Sequence, residues 1–255
     1  MKVAIFQHSP DEPPGLIGEI LREQGIPGEV IPLYRTQRVP EVDATHLVIL
    51  GGPMSVNEER NYPFLREEKA LIRRWIGEER PVLGICLGAQ LMASAFRAPV
   101  IRSEPELGWY PIHRAANGRC LSLPPVFHAF QIHGETFAVP PGGEACFTGH
   151  PVRNQGFVMA RGIALQFHLE ATPEMVEQWT GHLEPALMDG IRADTALYYP
   201  TAERLLRDLL GDFLGRSGGS PTETSDVPAS KGRISSSVDG NGMRQSSLPV
   251  PPPRG

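Results

Sequence analysis

Residues 2–95 alternate between short apolar runs and amphipathic segments, and this alternation constrains the fold more strongly than any other feature of the chain. Short apolar runs predict buried strands, whereas apolar residues at three- and four-residue spacing predict helices. On this basis we expect strands at 2–7, 29–33, 46–50 and 81–85, and helices at 14–24, 62–76 and 88–95. Strands that alternate with helices form a parallel sheet with helices on both of its faces.

The second half of the chain has a different pattern, because strand-rich segments separated by Pro/Gly turns become more frequent. We expect strand-rich segments at 100–113, 129–139 and 156–167, and helices at 172–180 and 202–214. The pattern leaves 189–200 without an assignment. The two halves together predict one doubly wound α/β domain with a mixed, mostly parallel sheet over residues 1–215.

The last forty or so residues have a composition of their own. Residues 216–255 are rich in Ser, Gly and Pro and contain no aromatic residue. Such a segment buries too little apolar surface to offset the entropy lost on ordering. We therefore predict a disordered tail at 216–255.

Composition and charge exclude several classes of protein. A formal net charge of −5 gives no electrostatic basis for binding nucleic acid or an anionic membrane. No stretch has the apolar length needed to span a bilayer, and the first residues lead directly into a strand without the apolar region of a signal peptide. The three cysteines (Cys86, Cys120 and Cys146) lack metal-type spacing and suit a reducing compartment. We expect a cytoplasmic protein that binds neither nucleic acid nor a membrane.

The segment around Cys86 carries the strongest chemical signal. A predicted strand ends at Cys86, glycines stand two residues before and two residues after it, and a predicted helix follows. Flanking glycines allow the tight strand-to-helix turn that presents a nucleophile, and the start of a helix favours a thiolate. The alternative is a cysteine that only fills space in the core.

A histidine and an acid offer partners for this cysteine. His168 follows the apolar strand at 163–167, and Glu170 stands two residues further on. Ligands bind at the carboxyl ends of strands in open α/β sheets, and a carboxylate beside an imidazole fixes its tautomer. Gly51 and Gly52 follow another predicted strand, where their backbone N–H groups can approach a ligand closely. The combination favours nucleophilic catalysis over a structural cysteine.

Six motifs occur in an order that resembles the class I (triad) glutamine amidotransferases, and in particular free-standing proteins similar to the amidotransferase domain of GMP synthase. The resemblance covers residues 2–183. The motifs are Gly-Gly-Pro-Met-Ser-Val from Gly51, Pro-Val-Leu-Gly-Ile-Cys-Leu-Gly-Ala-Gln-Leu from Pro81, Glu-Leu-Gly-Trp from Glu106, His-Gly-Glu-Thr-Phe from His133, Asn-Gln-Gly-Phe from Asn154 and Leu-Gln-Phe-His-Leu-Glu from Leu165.

The resemblance implies a role for each of these motifs. Cys86, His168 and Glu170 would form a catalytic triad, and the backbone amides of Gly52 and Leu87 would form the oxyanion hole. It also implies a flavodoxin-like three-layer sandwich. The implied reaction passes through a cysteinyl γ-glutamyl thioester and yields glutamate and ammonia, without a metal or an organic cofactor.

The same resemblance implies that Gln90 and the strand of His133 contact the amino-acid end of glutamine. Residues 1–215 leave no room for a synthetase domain, so we expect any enzyme that accepts the ammonia to be a separate protein. Two alternatives stay open: a γ-glutamyl hydrolase or peptidase with the same triad, and a non-catalytic relative that binds a ligand or partner.

Several other polar residues receive structural interpretations. Glu59, Glu67 and Glu68 are expected on a solvated helix face, and Cys120 and Cys146 are expected to be packing residues. The remaining histidines, including His8, lack metal-type clustering, so we expect exposed or core positions for them.

Overall fold

The computed structural model describes residues 1–115 and 123–215. Both Cys120 and the predicted tail at 216–255 lie outside the described residues, so the expectations for them stay predictions.

The described chain forms nine strands and six helices. In chain order the strands are β1 (Val3–Gln7), β2 (Gly28–Pro32), β3 (His46–Ile49), β4 (Val82–Ile85), β5 (Val100–Arg114), β6 (Val126–Phe137), β7 (Glu144–Thr148), β8 (Asn154–Met159) and β9 (Gly162–Leu165). The helices are α1 (Gly15–Glu23), α2 (Leu33–Thr36), α3 (Phe64–Gly77), α4 (Leu87–Ala95), α5 (Pro173–Thr180) and α6 (Pro185–Gly215).

All nine described strands belong to one sheet, in the order β2-β1-β3-β4-β9-β8-β7-β5-β6. The first five strands in this order are mutually parallel, and the remaining strands join antiparallel. An isolated antiparallel bridge links Phe130 of β6 to His168, just after β9. This bridge brings β6, the last strand in the order, next to the chain that follows β9, the last of the parallel strands.

Helices cover both faces of the sheet, because the central strands are apolar on both faces. Along β1, Val3 and Ile5 pack into one core with α1, α5 and α6. Their neighbours Ala4 and Phe6 pack into a second core with α3 and α4. Alternate residues of a strand point to opposite faces, so one short strand contributes to both cores. The predicted doubly wound three-layer α/β fold is confirmed.

The predicted strands and helices of residues 2–95 are present, with ends shifted by one or two residues. Two elements were not predicted, and a third is longer than predicted. α2 and β7 are short, and α6 extends through the unassigned segment 189–200 into the predicted helix at 202–214. Pro200 lies inside α6, and an internal proline ordinarily ends a helix. In α6 the helix continues through Pro200, and we attribute this to packing, because the helix is already anchored before the proline by buried residues (Met188, Ile191 and Thr195).

Strand order brings three loops together. β4 lies between β3 and β9, and all three strands run parallel. Their carboxyl ends therefore lie side by side at one edge of the sheet. The segments leaving these ends carry Gly51 and Gly52, Cys86, and His168, so the fold gathers the predicted site residues at this edge.

Gly88→Ala tests the close approach of α4 to β3. A Cβ at position 88 would overlap the main-chain carbonyl oxygen of Ile49. Overpacking of this kind costs about 1–3 kcal/mol, so we expect the free energy of unfolding in urea to fall by about that amount. Gly77→Ala is the matched control, because its Cβ would enter open space, and helix propensity should raise stability by up to ~1 kcal/mol. Equal stability of the two variants would contradict the tight approach.

Candidate active site

Cys86 occupies a strained turn between β4 and α4. Its backbone has φ 49° and ψ −105°, a conformation that costs a residue with a side chain about 1–3 kcal/mol. Two backbone hydrogen bonds hold the turn: the Cys86 N–H donates to the Leu165 carbonyl at 2.8 Å, and the Gln90 N–H donates to the Cys86 carbonyl at 3.0 Å. A Cβ at Gly84 would lie 2.6 Å from the carbonyl carbon of Gly88. The two glycines therefore let strand and helix meet at Cys86.

His168 is held from both its backbone and its ring. Its backbone N–H donates to the carbonyl of Phe130 on β6 at 2.9 Å, and its Nδ1 lies 2.6 Å from Oε1 of Glu170. Trp179 packs edge-on against the imidazole. Both side chains of the His168–Glu170 pair are buried. The pairing leaves Nε2 as the ring nitrogen available for chemistry.

The charge state of His168 follows from its neighbours. Burial alone lowers the pKa of this imidazole, but the charge of Glu170 and the nearby Cys86 thiol outweigh burial and raise the pKa well above its ordinary value. The Nε2 atom makes no well-aligned hydrogen bond within the described residues, so we attribute the influence of Cys86 to proximity and charge. A raised pKa favours the protonated imidazole, which can deliver a proton to a leaving group.

Two glutamines lie close to Cys86 and are hydrogen-bonded to each other. Gln166 Nε2 lies 3.7 Å from the Cys86 sulfur and donates towards it. Gln90 Nε2 donates to Oε1 of Gln166 at 3.3 Å and to the Glu135 carbonyl at 3.2 Å. Gln166 was not singled out from the sequence, although a polar residue within the apolar run at 163–167 was a usable signal. Gln90 borders the site, and its amide N–H groups are engaged with the protein.

The Gly51–Gly52 loop lies against the start of α4. A Cβ at Gly52 would lie 2.5 Å from Cδ2 of Leu87 and 2.9 Å from Cβ of His8. The structure thus brings Gly52 beside Leu87, the second residue whose amide is predicted to line the oxyanion hole. Glycine is required at 52 because any side chain would collide with both neighbours.

The sequence analysis misplaced one acidic residue near this loop, the buried Glu68, and missed another, the partly buried Glu12. The prediction that Glu68 is solvated is wrong: its side chain is fully buried and pairs with the buried His8. α3 turns Glu68 towards the sheet, among its apolar residues. Glu12 packs against Gly51 beside His168, and burial raises its pKa despite the opposing charges of His168 and His8. The sequence feature that could have identified Glu12 was its position in the loop that follows β1.

Cys86 opens into a cavity of about 910 Å³. The loop that follows β3 forms one wall, and β5 and β6 form the other. Cys86, Gly52, Gln90 and His133 all border it, whereas His168 and Glu170 lie behind Cys86. The thiol of Cys86 therefore borders the cavity, whereas the carboxylate of Glu170 does not.

His133 borders the cavity mainly with its main chain, because its imidazole is buried. The ring Nε2 lies 2.9 Å from Oε2 of Glu106 on the paired strand β5. Glu106 also accepts hydrogen bonds from Gln155 Nε2 at 2.7 Å and from the Val152 N–H at 3.3 Å. This buried network fixes the strand pair that walls the cavity.

Within residues 1–115 and 123–215, no three His, Cys, Asp or Glu side chains are grouped as metal ligands are. In the same ranges, no helix combines the length and the apolar character that crossing a membrane requires.

The arrangement has the parts of a cysteine-based acyl-transfer site. A thiol stands at a strained turn, an imidazole is next to it, a buried carboxylate orients that imidazole, and backbone amides stand at a helix start and in a glycine loop. Such parts suit attack on a carbonyl carbon followed by proton delivery to the leaving group.

Comparison with known proteins gives a consistent set of relatives. The family model described as "Glutamine amidotransferase class-I" matches residues 16–178. The glutamine-hydrolysing GMP synthase of Maridesulfovibrio salexigens is 27% identical over 220 residues, which cover 80% of this chain and 41% of that protein. The chain spans less than half the length of the curated relatives that it matches.

Solved structures agree with the family model. A glutamine amidotransferase from Thermotoga maritima is 30% identical with a TM-score of 0.74, over 84% of this chain and 98% of that one. A glutamine amidotransferase from Methylobacillus flagellatus is 27% identical with a TM-score of 0.78, over 88% of this chain and 99% of that one.

Glu170→Gln tests the cause of the raised His168 pKa. The substitution removes the carboxylate charge but keeps the burial, which by itself lowers the pKa of the imidazole. We expect an NMR titration of the ring to show a midpoint about 1–3 pH units below that of the unsubstituted protein. Glu174→Gln on α5, an exposed site, should leave this titration unchanged. An unmoved midpoint in Glu170→Gln would show that another group sets the charge of His168.

Proposed function

Because this chain belongs to the class I glutamine amidotransferase family, we propose that it hydrolyses the side-chain amide of glutamine to glutamate and ammonia. The observation that carries this proposal is the chain of contacts from Cys86, which borders the cavity, to His168 and Glu170, which are buried behind it. The first step would form a γ-glutamyl thioester on Cys86, and the second would hydrolyse it.

In the first step the Cys86 thiolate adds to the amide carbon of glutamine and forms a tetrahedral intermediate. The backbone N–H groups of Gly52 and Leu87 would donate hydrogen bonds to its oxyanion. His168, as imidazolium, protonates the amide nitrogen. The carbon–nitrogen bond then breaks, ammonia leaves, and the thioester and a neutral imidazole remain.

In the second step a water molecule takes the place of ammonia. Neutral His168 accepts a proton from the water as the oxygen adds to the thioester carbon. The carbon–sulfur bond breaks, glutamate leaves, and the imidazolium and thiolate are restored. Glu170 would hold the imidazole in one orientation and stabilise its charged form, without taking the proton.

A further part of the proposal concerns the ammonia that glutamine hydrolysis would release. GMP synthases are named for a synthase activity as well as for glutamine hydrolysis, and this chain spans less than half of those relatives. We propose that a separate enzyme accepts the ammonia, and that residues 1–215 form the amidotransferase domain, with 216–255 as an appended tail. A thiolate nucleophile needs a reducing environment, which supports a cytoplasmic location.

A γ-glutamyl hydrolase is the second candidate, and the size of the cavity favours it. Pockets of 300–1,000 Å³ typically hold drug-sized ligands, so about 910 Å³ is generous for a single amino acid. The thioester chemistry is unchanged when the leaving amine is larger. Arg102, Ser103 and Asn57 are polar residues of the cavity lining, and we propose that they would contact a larger amine.

Cys86→Ser tests whether Cys86 is the nucleophile. A serine hydroxyl is not ionised near neutral pH, so we expect the rate of glutamine hydrolysis to fall at least about a thousandfold. Cys146→Ser is the matched control, because Cys146 is a buried cysteine on β7 away from the cavity. Glutamate release by Cys86→Ser at the rate of the unsubstituted protein would contradict the proposed mechanism.

A panel of γ-glutamyl amides separates the two candidates. The unsubstituted protein would be assayed on glutamine and on γ-glutamyl amides of progressively larger amines, with glutamate release as the common readout. The first candidate predicts the highest kcat/KM on glutamine. A kcat/KM at least about tenfold higher on a larger amide, a difference of about 1.4 kcal/mol, would favour the hydrolase.

A further inference from the structure

We propose that His8 is a positioning residue that fixes the Gly51–Gly52 peptide, so that the Gly52 N–H faces the oxyanion formed on Cys86. This inference rests on the proposed function, since it gives His8 a role in the same acyl-transfer step. His8 does not border the cavity and would not touch the substrate. It would act through the peptide that it holds.

The hydrogen bond between His8 and Gly51 has a defined direction. His8 directly follows β1, and its Nδ1 lies 2.9 Å from the Gly51 carbonyl oxygen. A carbonyl oxygen can only accept a hydrogen bond, so Nδ1 carries a hydrogen and donates it. The ring also stacks on Phe64, with 6.0 Å between ring centroids and 28° between planes. The donor is therefore fixed in both position and orientation.

Glu68 completes the arrangement from the other side of the imidazole. Its two carboxylate oxygens lie 3.1 and 3.2 Å from Nε2 of His8, and both side chains are fully buried. A carboxylate at Nε2 favours a second ring hydrogen, and so a positive charge on His8. Burial alone lowers the pKa of His8, but the charge and hydrogen bond of Glu68 outweigh burial and leave this pKa raised.

Peptide geometry carries the effect of His8 to the oxyanion hole. The Gly51 carbonyl and the Gly52 N–H belong to one planar trans peptide, in which the two groups point in opposite directions. Fixing the carbonyl therefore fixes the direction of the N–H. Without side chains, a Gly-Gly peptide rotates more freely than other peptides, so it needs such a restraint. A charged donor on the carbonyl also polarises the peptide and strengthens its N–H as a donor.

A purely structural role is the competing explanation. Buried ion pairs add little net stability and are often replaced by apolar residues without loss. The pair occupies the boundary between α3 and the glycine loop, where apolar side chains would also fill the space. The two explanations differ in one respect: only a positioning role requires a donor facing the Gly51 carbonyl.

Two matched double variants exploit this difference. His8→Asn with Glu68→Gln keeps a neutral donor near the position of Nδ1 and leaves no buried charge. His8→Leu with Glu68→Met keeps an apolar filling and removes the donor. Glu67→Gln, at the neighbouring exposed position of α3, serves as the control. Urea denaturation of each variant establishes that it is folded.

The kinetic result expected is a change in kcat with little change in KM. Removing an oxyanion donor costs about 100- to 1,000-fold in kcat, and a misdirected donor should cost about 10- to 100-fold in the Leu/Met variant. The Asn/Gln variant should retain kcat within about tenfold. The aldehyde analogue of glutamine adds to Cys86 to give a thiohemiacetal, whose oxygen occupies the same hole, so its affinity should fall in parallel with kcat.

The position of the Gly51–Gly52 peptide gives a readout that does not depend on activity. Crystal structures of the two double variants should show this peptide unchanged in the Asn/Gln form and rotated in the Leu/Met form. A folded Leu/Met variant with normal kcat and an unrotated peptide would overturn the inference. If the unsubstituted protein hydrolyses no γ-glutamyl amide, the proposed function fails, and the peptide orientation still decides the role of His8.

Discussion

The site depends on how closely α4 approaches the two strands beneath it. Gly88 stands where any side chain would collide with the Ile49 carbonyl, and Gly84 stands where one would collide with Gly88. This contact forces the chain to turn within a single residue at Cys86. The turn stores strain in that residue, and two short backbone hydrogen bonds retain it. A larger residue at either glycine would move the thiol away from His168.

Charge around this turn follows a repeated pattern. Two buried imidazoles have a carboxylate on one ring nitrogen and direct the other nitrogen towards the site, because Glu170 pairs with His168 and Glu68 pairs with His8. In both pairs the carboxylate favours the protonated ring against the effect of burial. One pair lies beside the thiol, and the other lies against the Gly51 carbonyl of the glycine loop.

Much of the fold was predictable from sequence because its signals are local. Apolar runs and helical spacing predicted the alternating strands and helices of residues 2–95, and the glycines around Cys86 predicted the tight turn from strand to helix. The sequence also pointed to His168, because a histidine after an apolar strand in a parallel sheet lies at the ligand-binding edge. The geometry brings these residues together, although their catalytic roles stay a proposal.

The features that escaped prediction depend on contacts between distant parts of the chain. Glu68 lies on the buried face of α3 among its apolar residues, but nothing near it in the sequence identifies His8 as its partner. Helix α6 continues through Pro200 because its first half packs on β5, where Trp109 Nε1 donates to Thr195 at 2.9 Å. No local pattern encodes a partner that is 60 or 86 residues away.

The bridge between Phe130 and His168 has a mechanical consequence. Strand β6 holds the backbone of the imidazole at Phe130, and further along it forms the cavity wall at residues 133–135. The strand that lines the cavity is thus the same strand that holds the backbone of His168. A ligand or protein that contacts residues 133–135 therefore contacts the same strand that fixes the backbone of His168, three residues from the Phe130 bridge.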